Sequence, residues 1–229
     1  MKIPKVVFII CTKNNKSNPT LIERSIEDLN IENYEIYKIP HNTSGLSTQY
    51  NKFIDTSLDK YEDDTAFIFV HDDVYLNCKD IHYKLGLYFA KFDIVGVAGS
   101  ATAEIKEPGL WHLMAPRESL LGCVAHSSNP NPYEHEPYNM TTFGNLNQRA
   151  TLIDGVFIAA TKSSLKRVRF DESNPAKFHF YDLAFCLDCN KAGLKIGVCD
   201  IPIIHKSAGL SKITTEFENG KKWFLTKWG

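Results

Sequence analysis

Short apolar runs alternate along the chain with stretches whose apolar residues recur every three or four positions. Lys5 to Cys11 is a nearly unbroken β-branched run, and such a run predicts a strand buried on both faces. Ile22, Ile26 and Leu29 recur at helical spacing and predict a helix over Thr20 to Leu29. Tyr34 to Ile39 predicts a second strand. Ser47 to Leu58, with Tyr50, Phe53, Ile54 and Leu58 on one face, predicts a second helix. A third strand is expected at Ala66 to Val70, a third helix at Ile81 to Phe92 and a fourth strand at Ile94 to Ala98. Alternation at this spacing makes βαβ units and an α/β fold, with a central, mostly parallel sheet flanked by helices.

The alternation stops at Gly99. From there to Gln148 the chain is rich in Gly, Pro, Asn, Ser and His, with one clear apolar run at Ser119 to Ala125. A segment this long and irregular predicts a lid or a binding loop. The pattern resumes at Ala150 to Ile153 and Val156 to Thr161, on either side of Asp154-Gly155. Tyr181 to Lys191 predicts a helix, with Gly193 as its stop. Lys195 to Val198 and Ile201 to Ile204 predict strands, and Phe217, Trp223, Phe224 and Trp228 predict a last helix docked on the body. With no linker, repeat or low-complexity tract, residues 1–229 read as a single domain.

Composition narrows the function classes. The 229 residues are 43% hydrophobic and 23% charged, as in an ordinary globular protein. A net charge of -1 gives no footprint for nucleic acid, although Lys162, Lys166, Arg167 and Arg169 are locally basic. No apolar run is long enough to span a bilayer. The first apolar run is followed at once by Lys13-Asn14-Asn15-Lys16 rather than by a cleavage site. The expected location is cytoplasmic, or peripheral at a membrane. Cys11, Cys78, Cys123, Cys186, Cys189 and Cys199 read as free thiols. The Cys186-x-x-Cys189 spacing lies inside a helical pattern and lacks a second ligand pair.

The third strand stops abruptly at His71-Asp72-Asp73 before Val74. Polar groups at the carboxyl end of such a strand sit where open α/β sheets bind ligands. Two carboxylates and an imidazole suit a divalent cation that holds a diphosphate. A solvated acidic turn accounts for the same stretch equally well. Dinucleotide and P-loop glycine patterns are absent from the sequence.

Four stretches taken together resemble the GT-A (Rossmann-like) fold of family 2-like glycosyltransferases, and most closely their small StrF-like group. They are His71–Val74, Asp154–Ala159, Phe178–Val198 and Ile203–Gly209. The resemblance implies a nucleotide-binding half over residues 1–98, then an acceptor-binding half with the C-terminal helix over 99–229. It places the family's acid-x-acid metal motif on His71, Asp72 and Asp73, with Asp73 as the main ligand and His71 in place of the first acid. His205 matches a histidine near the metal or diphosphate. The family's Glu-Asp pair falls on Tyr181-Asp182, which makes Asp182 the catalytic base and puts Tyr181 on the sugar side. Asp154 and Gly155 match an acceptor-side element, and Cys11, Thr12, Asn42 and Asp72 would line the nucleotide site. Trp111 and His112, in the irregular segment, are candidates to stack on a sugar or acceptor.

The implied reaction is a metal-dependent, inverting sugar transfer, with Mn²⁺ or Mg²⁺ as cofactor and a UDP-sugar as the expected donor. The acceptor would be a glycan, a lipid-linked molecule or a small molecule, and a homo-oligomer is left open. His71 and Tyr181 replace the first acid of each pair. That keeps open a catalytically silent nucleotide-sugar or glycan-binding module on the same fold. A metal hydrolase using His71, Asp73 and His205 is a further alternative. His126, His135 and His179 read as scattered surface or loop residues.

Overall fold

The computed structural model describes residues 5–104, 106–127, 138–207 and 213–229. His135 and the Ala208-Gly209 end of the last motif lie outside the described residues. The first half runs β1 (Val6–Cys11), α1 (Leu21–Asp28), β2 (Tyr34–Ile39), α2 (Leu46–Ser57) and β3 (Ala66–His71). It continues through β4 (Val74–Leu76), α3 (Ile81–Tyr88), β5 (Ile94–Gly96) and β6 (Ala98–Ser100). Next come α4 (Trp111–Met114), β7 (Leu120–His126), β8 (Asn139–Thr142), β9 (Gln148–Ala150), β10 (Leu152–Ile153) and β11 (Phe157–Thr161). The chain closes with α5 (Lys162–Arg167), α6 (Tyr181–Lys191), β12 (Ile196–Val198), β13 (Ile203–His205) and α7 (Thr215–Trp228).

The central sheet has seven strands in the order β2-β1-β3-β11-β5-β12-β9. β1 pairs in parallel with β2 and β3, and β5 with β12, whereas β11 and β9 run against their neighbours. The expected mixed α/β fold with a mostly parallel sheet is therefore present. Val6 to Ile10 and Phe67 to Val70 are fully buried, because helices cover both faces of the strands. α1 starts with a capping box, in which Thr20 Oγ1 accepts from Glu23 N and the Glu23 carboxylate accepts from Thr20 N. α2 buries Tyr50 and Phe53 against the sheet, with Tyr50 centred 4.7 Å from the Phe69 ring and Phe53 5.9 Å from the Phe67 ring.

A second sheet of six strands, β10-β6-β7-β13-β4 with β8 on β7, corrects two sequence expectations. Ile94 to Ala98 is not one strand. Val97 separates β5 in the first sheet from β6 in the second. The crossing brings β6 close to β10, where a Cβ on Gly99 would stand 2.0 Å from the Leu152 carbonyl oxygen. The segment after Gly99 is also less irregular than its composition suggests, since β7 and β8 pair along Cys123–His126 and Asn139–Thr142. The third helix is shorter than expected and ends at Tyr88.

α7 docks on the body as expected. Its Phe217 and Phe224 rings lie 5.0 and 5.9 Å from Phe180. Phe180 takes φ +64° at the residue before α6. A bulky side chain there is strained unless its surroundings hold it, and Phe180 is buried among these rings. The last helix thus supports the turn that launches Tyr181 and Asp182. Among the described residues no helix is long and apolar enough to cross a membrane.

Candidate functional site

Strand register builds the site. β1 and β3 end together, with Cys11 opposite His71, so the chain leaves the sheet at Thr12 and at Asp72. Thr12 Oγ1 donates to Asp72 Oδ2 at 2.6 Å and ties the two exits together. β4 then pairs antiparallel with β13, placing His205 opposite Val74. His205 Nε2 comes to 3.3 Å from Asp73 Oδ1. β7 lies on the other side of β13, with His126 level with His205 and the two rings 6.0 Å apart.

His71, Asp73 and His205 each offer a ligand atom, and these atoms lie within 4.8 Å of one another. The set suits a divalent cation that accepts imidazole and carboxylate together. Asp73 Oδ1 is buried, and no hydrogen bond points at it among the described residues. Its contact with His205 is one of proximity and charge. A buried carboxylate oxygen left this way is costly, and a cation would satisfy it. Burial alone would raise the Asp73 carboxyl, but the adjoining His205 and His71 hold it below its ordinary value. Burial would lower His205, yet Asp73 beside it raises it. His71 is lowered, first by burial and then by the neighbouring His205, so it stays a neutral imidazole.

The tautomer of His71 follows from its neighbour. Tyr181 has one hydroxyl proton and donates it to the Gly155 carbonyl at 2.9 Å. The same hydroxyl lies 3.1 Å from His71 Nε2, so Nε2 carries the proton and Nδ1 keeps its lone pair. Gly155 has no room for a side chain, because a Cβ there would stand 2.1 Å from the Tyr181 hydroxyl. Tyr181, expected on the sugar side, lines the small cavity that also holds Asp182, is 2% exposed, and supports His71 through its hydroxyl. Such outer partners commonly set ligand affinity by 10–100-fold. Tyr181→Phe is expected to weaken Mn²⁺ binding about tenfold in a calorimetric titration. Unchanged affinity would separate the hydroxyl from the cation site.

Three cavities meet around this cluster. The first, of about 400 Å³, is lined by Cys11, Thr12, Asn42, Asp72 and Asp73, with Lys13 beside them. The Asn42 side chain is buried and its Nδ2 has no partner among the described residues. A second, of about 150 Å³, shares His71 and Phe178 with the first and is lined by Asp182. A third, of about 460 Å³, shares Trp111 and Asp154 with the second and reaches His112, His126 and His205.

Asp182 opens α6 and accepts from Gly155 N at 2.7 Å. Its carboxyl is pushed up to about 7, chiefly by burial and then by the Asp154 carboxylate. Asp154 accepts from Trp111 Nε1 at 3.1 Å and from Val156 N at 2.9 Å. Trp111 is 4% exposed, so most of its ring pins the loop and only an edge is left for a ligand. His112 beside it is exposed.

The structure thus gathers the residues expected at the nucleotide, metal and acceptor positions into one connected region. His179, read as a scattered surface or loop residue, lines the second cavity beside Asp182, and sequence reasoning missed two residues more. His126 read as a scattered loop histidine but closes the third cavity beside His205. Lys13 lies in the first cavity with its ammonium 5.4 Å from the centre of the Phe178 ring. Neither had a readable signal, because their neighbours come from strands and loops distant in the chain.

The model of a family described as glycosyltransferase-like matches residues 7–228. A comparison with curated proteins finds no match. Among solved structures, the chain is similar to a protein from STIV, at 12% identity and a TM-score of 0.48, covering 92% of this chain and 98% of that one. It is similar to the catalytic domain of Drosophila beta1,4-galactosyltransferase 7 in complex with xylobiose, at 10% identity and a TM-score of 0.47, covering 94% of this chain and 79% of that one. It is also similar to 4-diphosphocytidyl-2C-methyl-D-erythritol synthase from Anaerococcus prevotii, at 10% identity and a TM-score of 0.38, covering 98% of this chain and all of that one.

Proposed function

We propose, for a chain that belongs to the glycosyltransferase-like family, a metal-dependent, inverting transfer of a sugar from a nucleoside-diphosphate sugar to a hydroxyl acceptor. One observation carries this reading. The His71–Asp73–His205 cluster has a member on each of the three connected cavities. That is the arrangement needed to hold a diphosphate between a nucleotide, a sugar and an acceptor.

The roles follow from position. Residues 1–98 would supply most of the nucleotide cleft, where the unpartnered Asn42 amide can donate to the base or ribose and Lys13 can face phosphate. The small second cavity would take the transferred sugar. Residues 99–229 would supply the acceptor side. His71, Asp73 and His205 would hold Mn²⁺ or Mg²⁺, which neutralises the charge that builds on a leaving diphosphate. Asp182, from the wall of the sugar cavity, would take the proton of the attacking hydroxyl. Attack on the face opposite the leaving diphosphate would invert the anomeric carbon. Asp154 is a second choice for the base, because it lines both the sugar and acceptor cavities.

Thermal shift tests the donor side. UDP with Mn²⁺ at about 100 times its dissociation constant is expected to add ~2.7 kcal/mol to the apparent stability. EDTA should abolish the gain. A screen of nucleoside diphosphates giving no metal-dependent shift would overturn the reading. A shift without turnover of any sugar donor would favour the silent binding module instead.

A further inference from the structure

We infer that the third cavity takes an acceptor whose reacting hydroxyl is carried on an apolar body rather than on a free sugar. The inference rests on the transferase reading and narrows its acceptor.

The cavity is walled by Leu110, Trp111, Leu113, Val124, Phe143 and Val156. Most of its exposed wall is apolar, whereas the nucleotide cleft is about evenly mixed. Trp111 and Phe143 pack with ring centres 5.2 Å apart, giving the cavity one aromatic side. Leu113 is 69% exposed, and Met114 beside it is 47% exposed. Large apolar side chains left this open beside a ligand cavity gain most when an apolar ligand covers them.

The polar lining is Asp154, His126 and His205, the two imidazole rings 6.0 Å apart, with His112, Thr141 and Ser207, and Asp154 and His205 tie it to the reacting centre. Both oxygens of Asp154 already accept a hydrogen bond, Oδ2 from Trp111 Nε1 and Oδ1 from Val156 N, and His205 leans on Asp73. A free hexose would have more hydroxyls than this mostly apolar wall has polar partners to replace water, and some would lie against its apolar part. Each hydroxyl removed from water without a partner costs free energy, so such a ligand is disfavoured. An alcohol with one hydroxyl and an aromatic or alkyl body leaves no such deficit. Its hydroxyl meets the polar end, and its body covers Leu113 and Phe143. The transfer keeps its balance. The acceptor oxygen bonds to the anomeric carbon and its proton goes to the carboxylate base. The anomeric C–O bond to phosphate breaks, and its electron pair leaves with the nucleoside diphosphate.

The test uses the full chain, with 2-naphthol and glucose as probes in calorimetric titrations without donor. 2-Naphthol is expected to bind and glucose to bind at least ~10-fold more weakly. Leu113→Asp, at an exposed rim position that leaves folding intact, should weaken 2-naphthol about tenfold by replacing buried apolar area with a carboxylate. The UDP–Mn²⁺ thermal shift of the same variant should stay at the wild-type value. Glucose binding as tightly as 2-naphthol, or 2-naphthol binding indifferent to Leu113→Asp, overturns the inference while leaving the donor reading intact. Loss of the UDP–Mn²⁺ shift in the wild type, with the 2-naphthol pattern preserved, removes the transferase reading and leaves the apolar pocket standing.

Discussion

Asp73→Ala is expected to abolish the metal-dependent thermal shift with UDP and to reduce sugar transfer below detection. Asp73 is the only carboxylate of the cluster drawn from His71, Asp73 and His205. Without it, two imidazoles remain, one of them held neutral. Removing a ligand should cost at least the ~100-fold that loss of a supporting partner can reach. A ligand that had added ~2.7 kcal/mol would then add almost nothing at the same concentration. For a domain of this size that is a drop of roughly 5–10 °C in the ligand-bound midpoint. The metal-free protein should melt within about 2–4 °C of wild type, since the lost carboxylate has a buried oxygen with no directed hydrogen bond. This contrast separates a binding residue from a folding residue. Retention of the Mn²⁺-dependent shift in Asp73→Ala would remove the cluster from the donor site and take the proposed function with it.

The sequence carried the first half of the fold because burial there coincides with periodicity. β1 and β3 are buried on both faces and read as unbroken apolar runs, and α1 announces its start with Thr20 and Glu23. Ile94 to Ser100 shows where that coincidence ends. An apolar run reports burial, but both sheets are buried, so it cannot report that the chain leaves one for the other at Val97. The direction of β11 is hidden for the same reason, since a central antiparallel strand is as apolar as a parallel one. Within the site, His71 and Asp73 share one turn and could be read together. His205 reached them only through family resemblance, and His126 has no sequence neighbour that marks it. What joins these residues is the β4–β13–β7 pairing, a long-range register that no local spacing encodes. Tyr181 is the converse case. Its place in a family motif suggested contact with sugar, and it does line the small second cavity, but no local spacing showed that its hydroxyl also ties the Gly155 carbonyl to His71.

Asp182→Asn is expected to lower the rate of transfer by about 10²–10⁴-fold, the usual contribution of a general base, while leaving the UDP–Mn²⁺ shift unchanged. The change is nearly isosteric, and the amide oxygen can still accept from Gly155 N, the contact Asp182 makes at 2.7 Å. A base must be ionised to act. With its carboxyl raised to about 7 by burial and by Asp154, the wild-type rate should climb with pH up to about that value and then level. The same shift has an opposite consequence for stability. A carboxyl whose folded value lies above its unfolded one contributes stability in full below the unfolded value, roughly 3.9 for Asp. That contribution is lost as pH rises through about 7. The weakening of the fold by this buried group therefore begins near the unfolded value and is complete by about 7, the pH at which Asp182 becomes useful as a base. Asn carries no charge at any pH, so the variant's melting temperature should gain on wild type as the pH is taken from 5 to about 8. A merely structural Asp182 would show that stability trend without the loss of rate. The competing assignment to Asp154 makes a different pattern. Asp154→Asn would then abolish transfer, and Asp182→Asn would largely keep it.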